Sequence, residues 1–588
     1  MLLIQRAAAL VVICMLVAAC AGISPPERVT PISPDLPPPG LPNGVAAGDV
    51  TQESVVLWAR AATPGTITFT VGMPGDSQAI SLSETITRTV NESLLPVTVT
   101  VAGLSPATTY HYQAAVANSE RAAGIFRTPA ADGEHHGLRF AASGDVRGDL
   151  APYPSIANAP SRDLDFFVNV GDTVYADFPS PALLKQAQSI EEFRLKHNEV
   201  NSTRRGLNTL AALRAATVSF ATLDDHEVLN NFAGGAPASS SRYFAENSGL
   251  INETRLYRAG IDAFLAYQPV KVERYGPDAD AAMAGRPKLY RYRTFGADAA
   301  LFVLDMRSFR DEPLPRVTTL DNAESIARFE QASFDESRTV LGREQMADLQ
   351  RDLLDAQQEG ITWKFIVVPD PIQYLDLTAA PDRWQGYAAE RTALLRFITE
   401  QGIANVVFIT ADIHGLVVNN LTYQEGPGAP HVPVAAWEIA VGPIAAHPPY
   451  GLAMFLTYRE LGMLTDADEA EYQSLPVRHD ADETPDDRDD YVKTLVNEQM
   501  ARFGYNPFGL SDAISGEAAI EVELLQGDYV AGHVYGWTEF EIDATSQALT
   551  VTSYGIPAYL ADDMDRDQET ILTQSPAVVS QFVVQPKQ

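Results

Sequence analysis

The chain has 588 residues, 46% hydrophobic and 20% charged, a composition that is typical of a folded globular protein and excludes a disordered one. Its formal net charge of −34 argues against nucleic-acid binding, because so acidic a surface repels phosphate backbones. This length exceeds that of one ordinary hydrophobic core, so we expect at least two domains.

Residues 1–20 have the pattern of an export signal. Arg6 is the only charge before an apolar run from Ala7 to Ala19, which is too short to span a bilayer. The run ends in LVAAC, which resembles a bacterial lipobox, with Cys20 as the residue that is acylated after cleavage. We therefore predict export to the cell envelope, on the periplasmic or surface side, with membrane contact only through a lipid on Cys20. A signal peptide that is simply cleaved is the alternative.

The segment that follows predicts a spacer and then an all-β domain. Residues 21–42 are rich in Pro and predict an extended linker. Between residues 43 and 130, short alternating segments such as SVVLWAR, TITFTVG and TYHYQAAV are separated by turn residues, which predicts a small β-sandwich of fibronectin-like type. We expect Trp58 to lie in the core of that sandwich. Both Cys residues precede this region, so the mature chain has no pair to form a disulfide.

Residues 136–588 have the pattern of a layered α/β domain. Short apolar runs alternate with helical patterns such as Glu344–Gln357 and Ala388–Gln401. An alternating stretch from Gly532 to Tyr554 predicts additional antiparallel strands. The apolar runs predict strands that are buried on both faces, at Leu138–Ala142, Phe166–Val170, Ala300–Leu304, Trp363–Val368 and Ala404–Thr410.

Four motifs place polar side chains where apolar strands end, the position at which open α/β sheets bind ligands. They are ASGDVRG at 142–148, VGDTVY at 170–175, LDDHE at 223–227 and TADIHG at 410–415. One such Asp alone is often only a helix cap. The occurrence of all four in order indicates a metal centre, and the mixture of carboxylate, imidazole and phenol donors suits a metal cluster better than a single zinc ion.

Together with LDMRSFR at 304–310, these motifs resemble those of the calcineurin-like metallophosphoesterase superfamily, and within it the PhoD-type alkaline phosphatases. The resemblance covers nearly the whole mature chain. It implies a four-layer α/β metallophosphoesterase sandwich preceded by a small fibronectin-like all-β domain. It also implies hydrolysis of phosphate monoesters by a metal-bound hydroxide at a di- or trinuclear centre of Fe³⁺ and Ca²⁺, with other divalent metals as alternatives.

The same resemblance implies a set of metal ligands: Asp145, Asp172, Tyr175, Asp225, Asp412 and His414. Asp172 would bridge two metals. Tyr175 would bind the ferric ion as a phenolate, with Asp145 and His414 completing that position. Asp225 and Asp412 would face the second position, which we expect to hold Ca²⁺.

Further residues near the motifs are candidates for binding and catalysis. By the same resemblance, His226 is expected beside the phosphate as a donor or general acid. Arg147 suits either phosphate oxygens or an ion pair with a neighbouring carboxylate, and both alternatives stay open. Asp370 is an additional candidate ligand. For Asp305 and Arg307 we favour an internal ion pair.

Two other functions stay open at this stage. The same centre would serve a phosphodiesterase or a phospholipase D-like enzyme that acts on cell-surface phosphodiesters. A non-catalytic surface-binding lipoprotein is the third hypothesis, although a binding protein has no need of the complete set of metal ligands.

We expect a phosphate-ester substrate and a monomer. The acidic run 480–487 predicts a solvated loop.

Overall fold

The computed structural model describes residues 36–587, except for 75–79, 91, 93, 117–119, 245–247, 318–321, 376–379 and 511–513. The predicted signal peptide, with its lipobox at Cys20, and most of the predicted linker lie outside the described residues. The chain from Pro34 to Gln588 forms one compact unit. Within the described part, no helix combines the length and the apolar character needed to cross a membrane.

The N-terminal region consists of strands. They are β1 Val45–Gly48, β2 Ser54–Ala59, β3 Gly65–Pro74, β4 Ile80–Val90, β5 Val97–Ala102, β6 Thr109–Val116 and β7 Arg121–Arg127. Strands β3, β4, β6 and β7 form a four-stranded sheet in the order β4-β3-β6-β7.

The remainder of the chain alternates between strands and helices. The further strands are β8 Leu138–Val146, β9 Phe166–Val170, β10 Val218–Thr222, β11 Arg291–Phe295, β12 Ala299–Val303, β13 Trp363–Val367, β14 Val406–Thr410, β15 Leu416–Gln424, β16 His431–Ala440, β17 Pro443–Ala445, β18 Val522–Gly527, β19 Val530–Ala531, β20 Val534–Ile542, β21 Leu549–Pro557 and β22 Ala577–Val584. The helices are α1 Ile190–Val200, α2 Thr209–Ala216, α3 Arg255–Tyr267, α4 Ala323–Ser333, α5 Arg343–Gln358, α6 Ala388–Glu400, α7 Tyr450–Glu460, α8 Asp466–Ser474, α9 Arg488–Arg502, α10 Ala561–Arg566 and α11 Gln568–Leu572.

Two large mixed sheets form the centre of the molecule. One has the order β18-β22-β21-β20-β8-β9-β10-β1-β2-β5, with β17 paired to β8. The other has the order β11-β12-β13-β14-β16-β15-β19. Strands β8, β9 and β10 are parallel to one another, as are β12, β13 and β14. The C-terminal strands β20, β21 and β22 are antiparallel, as the alternating pattern predicted for this region.

The two sheets pack face to face, and helices cover their outer faces. Phe140 of the first sheet packs against Phe365 of the second, with ring centroids 4.8 Å apart. The outer face of the second sheet is buried against α5 and α6, and that of the first sheet against α1, α2 and α3. This arrangement confirms the predicted four-layer α/β sandwich. The predicted strands and the helices α5 and α6 all lie within a few residues of their expected positions.

The N-terminal all-β region is continuous with the rest of the fold. Strands β1, β2 and β5 extend the first large sheet, because β1 pairs in parallel with β10. Trp58 of β2 is fully buried, but it does not lie inside the sandwich: it packs against Tyr267 of α3 and donates from Nε1 to the Ala266 carbonyl at 2.9 Å. Alternate side chains of a strand face opposite sides, so Leu57 enters the sandwich core and Trp58 faces the helix. Trp58 therefore joins the two regions.

We expect Trp58→Ala to lower the free energy of unfolding by about 3–5 kcal/mol, because a large buried ring and its cavity are lost at the junction. Urea denaturation of the wild type and the variant measures this difference. Trp58→Phe is the control: it keeps an aromatic ring here, loses the hydrogen bond to Ala266 and a smaller part of the side-chain volume, and should cost less. Equal stabilities of wild type and Trp58→Ala would show that other contacts hold the two regions together.

Candidate metal centre

The carboxyl ends of the parallel strands of both sheets meet at one edge of the sandwich. In the first sheet, Asp145 lies at the end of β8, and Asp172 and Asp225 follow β9 and β10. In the second sheet, Asp370 and Asp412 follow β13 and β14. One carboxylate oxygen from each of Asp224, Asp370 and Asp412 lies within 4.8 Å of the others, so the two sheets supply one common site.

The backbone turns sharply at these positions. Asp145, Asp172, Asp412 and His414 have φ values of 57°, 50°, 64° and 60°. This left-handed region is uncommon for residues other than Gly and often marks functional sites, although Asp tolerates it better than most. Gly171 has a φ of 90°, and a Cβ there would lie 2.8 Å from the Cβ of Asp224. The chain therefore turns sharply at the ends of β8, β9 and β14, and Asp145, Asp172 and Asp412 lie at these turns.

Asp145, Tyr175 and His414 form one group of donors. The His414 Nδ1–H donates to the Pro448 carbonyl at 2.8 Å, so Nε2 carries a lone pair and accepts from the Tyr175 hydroxyl at 2.9 Å. The same Nε2 lies 3.8 Å from Asp145 Oδ1. Both buried oxygens of Asp145 lack a hydrogen-bond partner among the described residues. Burial and the neighbouring Asp412 raise the pKa of Asp145 well above its usual value.

A second group consists of Asp172, Asp225 and His226, whose potential ligand atoms lie within 4.8 Å of one another. His226 Nε2 is 3.9 Å from Asp172 Oδ2 and 4.0 Å from Asp225 Oδ1. On the opposite side of the ring, Nδ1 contacts Asp177 Oδ1 at 2.7 Å. Burial lowers the pKa of His226, but Asp225 and Asp177 outweigh burial and raise it to about 9. The imidazole is therefore held in place with Nε2 directed at the two carboxylates.

The third group, Asp224, Asp370 and Asp412, contains only oxygen donors. Arg307 lies directly behind it: its Nε donates to Asp224 Oδ1, and its Nη2 donates to Asp370 Oδ1 at 3.0 Å. Burial and nearby Asp370 raise the pKa of Asp412 to about 6, although Arg383 opposes this. Asp224 Oδ2 is buried and has no hydrogen-bond partner in the described part of the chain.

Arg307 does not form the expected ion pair with Asp305. The Asp305 side chain accepts backbone N–H groups from Arg307 and Ser308 at 3.0 and 2.9 Å, and so caps the turn after β12. The guanidinium of Arg307 instead extends away from its own turn to carboxylates on other loops. That prediction was wrong because the strongest partners of a buried Arg are set by the approach of distant loops, which sequence neighbours do not reveal.

The six predicted ligands thus lie together, while Arg147 has its own partners. Its guanidinium pairs with Asp149 through Nε at 3.1 Å and Nη2 at 2.8 Å, and Nη1 donates to the His447 carbonyl at 3.0 Å. It also stacks over the Phe178 ring, with 4.1 Å from Cζ to the ring centroid. This is the ion pair that the sequence left open as the alternative to phosphate binding.

Comparison with known proteins gives the family. The sequence model of the PhoD-like phosphatase family matches residues 140–484, more than half of the chain, and that of the PhoD-like phosphatase N-terminal domain matches residues 28–130. The chain belongs to the PhoD-like phosphatase family.

Individual relatives agree with this assignment. The chain is 27% identical to alkaline phosphatase D of Bacillus subtilis (strain 168) over 413 residues, which cover 64% of this chain and 65% of that protein, just under two thirds of its length. The fold is similar to a solved structure of PhoD, with a TM-score of 0.65, 19% identity, and coverage of 94% of this chain and 91% of that one. The predicted fold class and the PhoD-type resemblance are therefore confirmed.

Other residues of this PhoD-like site were not assigned from the sequence, among them Asp224, Glu227, Asp177 and Arg383. Glu227 is fully buried: its Oε1 accepts from the Thr173 backbone at 2.6 Å, and its Oε2 accepts from the Asp224 backbone at 2.9 Å. It therefore joins the loops after β9 and β10. Asp177 orients His226, and Arg383 lies 3.4 Å from Asp412. Glu227 is the last residue of the LDDHE motif and Asp177 lies two residues after VGDTVY, but nothing in the spacing shows what they contact.

We expect Asp177→Ala to lower kcat about 10–100-fold with little effect on folding. Removal of a hydrogen-bond partner that orients a functional His typically has an effect of this size. Rates of nitrophenol release from a phosphate ester by wild type and variant, with circular dichroism as the check on folding, measure the effect. Asp177→Asn is the conservative comparison, since its amide oxygen can still accept from Nδ1 and should restore part of the rate. Equal rates for Asp177→Ala and wild type would show that His226 needs no such partner.

Proposed function

We propose that this chain is a metal-dependent phosphoric ester hydrolase of the alkaline phosphatase D type that prefers phosphate monoesters. The observation that carries the proposal is the shared site at the edge of the two sheets, where buried carboxylates lie beside a phenol and two imidazoles without enough side-chain cations to balance them. Membership of the PhoD-like phosphatase family supports the same reaction.

The donors at this site fit metal ions. The unpartnered oxygens of Asp145 lie beside the Nε2 lone pair of His414 and the Tyr175 hydroxyl, a mixed oxygen and nitrogen set that suits Fe³⁺. The group of Asp224, Asp370 and Asp412 offers only oxygen, which suits Ca²⁺. Asp172 would bridge, with Asp225 beside it. Bound metals would hold phosphate oxygens and lower the pKa of a water molecule towards about 7.

The chain itself supplies the groups that orient the substrate and move protons. With Nδ1 held by Asp177, His226 directs Nε2–H into the site, where it can donate to the oxygen of the leaving alcohol. Such a donor stabilises charge that develops as the ester bond breaks. Arg307 and Arg310 act from behind the site: they hold Asp370 and Asp382 and so limit the movement of the carboxylates.

Asp172→Asn should abolish hydrolysis, because the neutral amide removes one negative charge from the carboxylate expected to bridge two metals. Nitrophenol release from a phosphate monoester, with iron and calcium supplied, is the measurement. The matched control is Asp262→Asn on the exposed face of α3, which should keep the wild-type rate. Full activity in Asp172→Asn would contradict the assignment of Asp172 as a metal ligand.

The same assay compares a nitrophenyl phosphate monoester with the corresponding diester, each with and without a chelator. We expect faster release from the monoester, lost when the chelator removes the metals. Faster release from the diester would assign the chain as a phosphodiesterase instead. No release from either ester, with metals shown to be bound by elemental analysis, would favour the surface-binding lipoprotein.

We also propose that the chain is exported and anchored by a lipid on Cys20, on the basis of the lipobox-like LVAAC sequence. In a bacterial host, radioactive palmitate should label the wild-type protein, and the labelled protein should be recovered in the membrane fraction. Cys20→Ser should abolish labelling and release the protein from the membrane fraction, whereas Cys14→Ser should change neither. Labelling that persists in Cys20→Ser would contradict the anchor.

A further inference from the structure

A second acidic cluster lies at the start of α9. The acidic run was expected to form a solvated loop, and residues 481–486 are indeed exposed. Asp487 and Asp490, however, are only 1% and 4% exposed. The expectation was wrong for Asp487 because it caps α9 from inside the fold: its Oδ1 accepts the backbone N–H groups of Asp489 and Asp490 at 2.8 and 3.0 Å.

Three carboxylates meet at this point. One oxygen from each of Asp480, Asp487 and Asp490 lies within 4.8 Å of the others. Asp490 Oδ2 is buried and has no hydrogen-bond partner among the described residues. A buried carboxylate oxygen without a hydrogen-bond partner is unfavourable in free energy. A bound ligand from outside the chain would relieve this.

The nearby cations are already engaged elsewhere. Lys493 pairs with Glu483 at 2.8 Å and with Asp528 at 3.0 Å. Arg488 donates to the backbone carbonyls of Tyr472 and Leu475. Within the described part of the chain, no ion pair joins a Lys or Arg side chain to the three clustered carboxylates. The positive end of α9 offsets only part of this negative charge.

We propose that Asp480, Asp487 and Asp490 bind a calcium ion that fixes the first turn of α9. All three donors are oxygens, which Ca²⁺ prefers. With metal–oxygen distances of about 2.3–2.6 Å, ligands on opposite sides of one Ca²⁺ lie up to about 5 Å apart, which matches the spacing here. Mg²⁺ needs a stricter octahedron, keeps several waters, and is less suited to a site built from three side chains.

A series of hydrogen bonds, which starts at the Asp489 side chain, joins this site to the proposed metal centre. Asp489, in the first turn of α9, accepts the Gly532 N–H at 2.8 Å. The Gly532 carbonyl accepts from Gly451 at 2.8 Å, and the neighbouring Tyr450 donates its N–H to the His414 carbonyl at 2.8 Å. Calcium at the start of α9 therefore supports the segment that positions His414, without taking part in the reaction.

A proton is the competing occupant. Burial and the neighbouring Asp487 raise the pKa of Asp490 to about 7, so a shared proton would relieve the same repulsion. The substitution Asp490→Asn has a different effect on a site that holds a proton and on a site that holds calcium. An amide imitates a protonated acid, but it removes a charged ligand from a calcium ion.

The test counts calcium on the full chain after equilibrium dialysis against buffered calcium, by elemental mass spectrometry. Wild type should bind one calcium ion more per chain than Asp490→Asn. If both proteins bind that ion, its affinity should be at least about tenfold higher in wild type, because the charge of the ligands tunes calcium affinity. The midpoint of thermal unfolding should rise with calcium by a larger amount in wild type than in Asp490→Asn. Only the difference between the two proteins is used, since the proposed hydrolytic centre also holds metal.

Two further variants keep the test decisive. Asp480→Asn changes a half-buried ligand and should give the same loss if Asp490→Asn does not fold. Asp486→Asn is the matched control: it lies in the same acidic run, but it is exposed and pairs with Arg478 on the surface, so it should bind as much calcium as wild type.

Equal calcium content and equal stabilisation in wild type, Asp480→Asn and Asp490→Asn would overturn the proposal and leave a shared proton. Phosphate release, measured with saturating metals, should persist in these variants, so a failure here differs from a failure of the proposed function.

Discussion

Mutual repulsion among buried carboxylates is the constraint around which this molecule is built. Asp145, Asp172, Asp225 and Asp412 approach one another at the edge where two sheets meet, and burial together with neighbouring carboxylates raises the pKa values of Asp145, Asp172 and Asp412. Isolated buried charges are very unfavourable. The fold therefore has to supply rigid support for the group, and bound cations would offset its negative charge, which is why we propose a metal centre at this edge.

The support comes from three directions. The face-to-face packing of the two sheets, with Phe140 of the first sheet against Phe365 of the second, fixes the distance between the strand ends. Buried Arg307 provides a permanent positive charge behind Asp224 and Asp370. Glu227 joins the two loops of the first sheet through backbone N–H groups. Packing, charge and backbone hydrogen bonding each limit a different movement, and together they hold the donors in place.

The sequence predicted the strands and motifs well because both depend on local patterns. Apolar runs of strand length followed by Asp gave the positions of β8, β9, β13 and β14, and the order of the motifs gave the family. It failed where partners are distant in sequence. Trp58 was expected in the core of the β-sandwich but packs against α3, and Arg307 was given Asp305 as its partner instead of Asp224.

The sequence by itself determined the fold class, the strand ends that carry the donors and the kinds of donor, because hydrophobic period and residue chemistry are local properties. Only the tertiary structure decided which donors meet, such as His414 with Tyr175, and which residues orient them, such as Asp177. It also decided that Asp487 and Asp490 are buried while their neighbours face water. These are consequences of how separate loops approach one another, and that approach is set by the packing of two sheets rather than by any single segment.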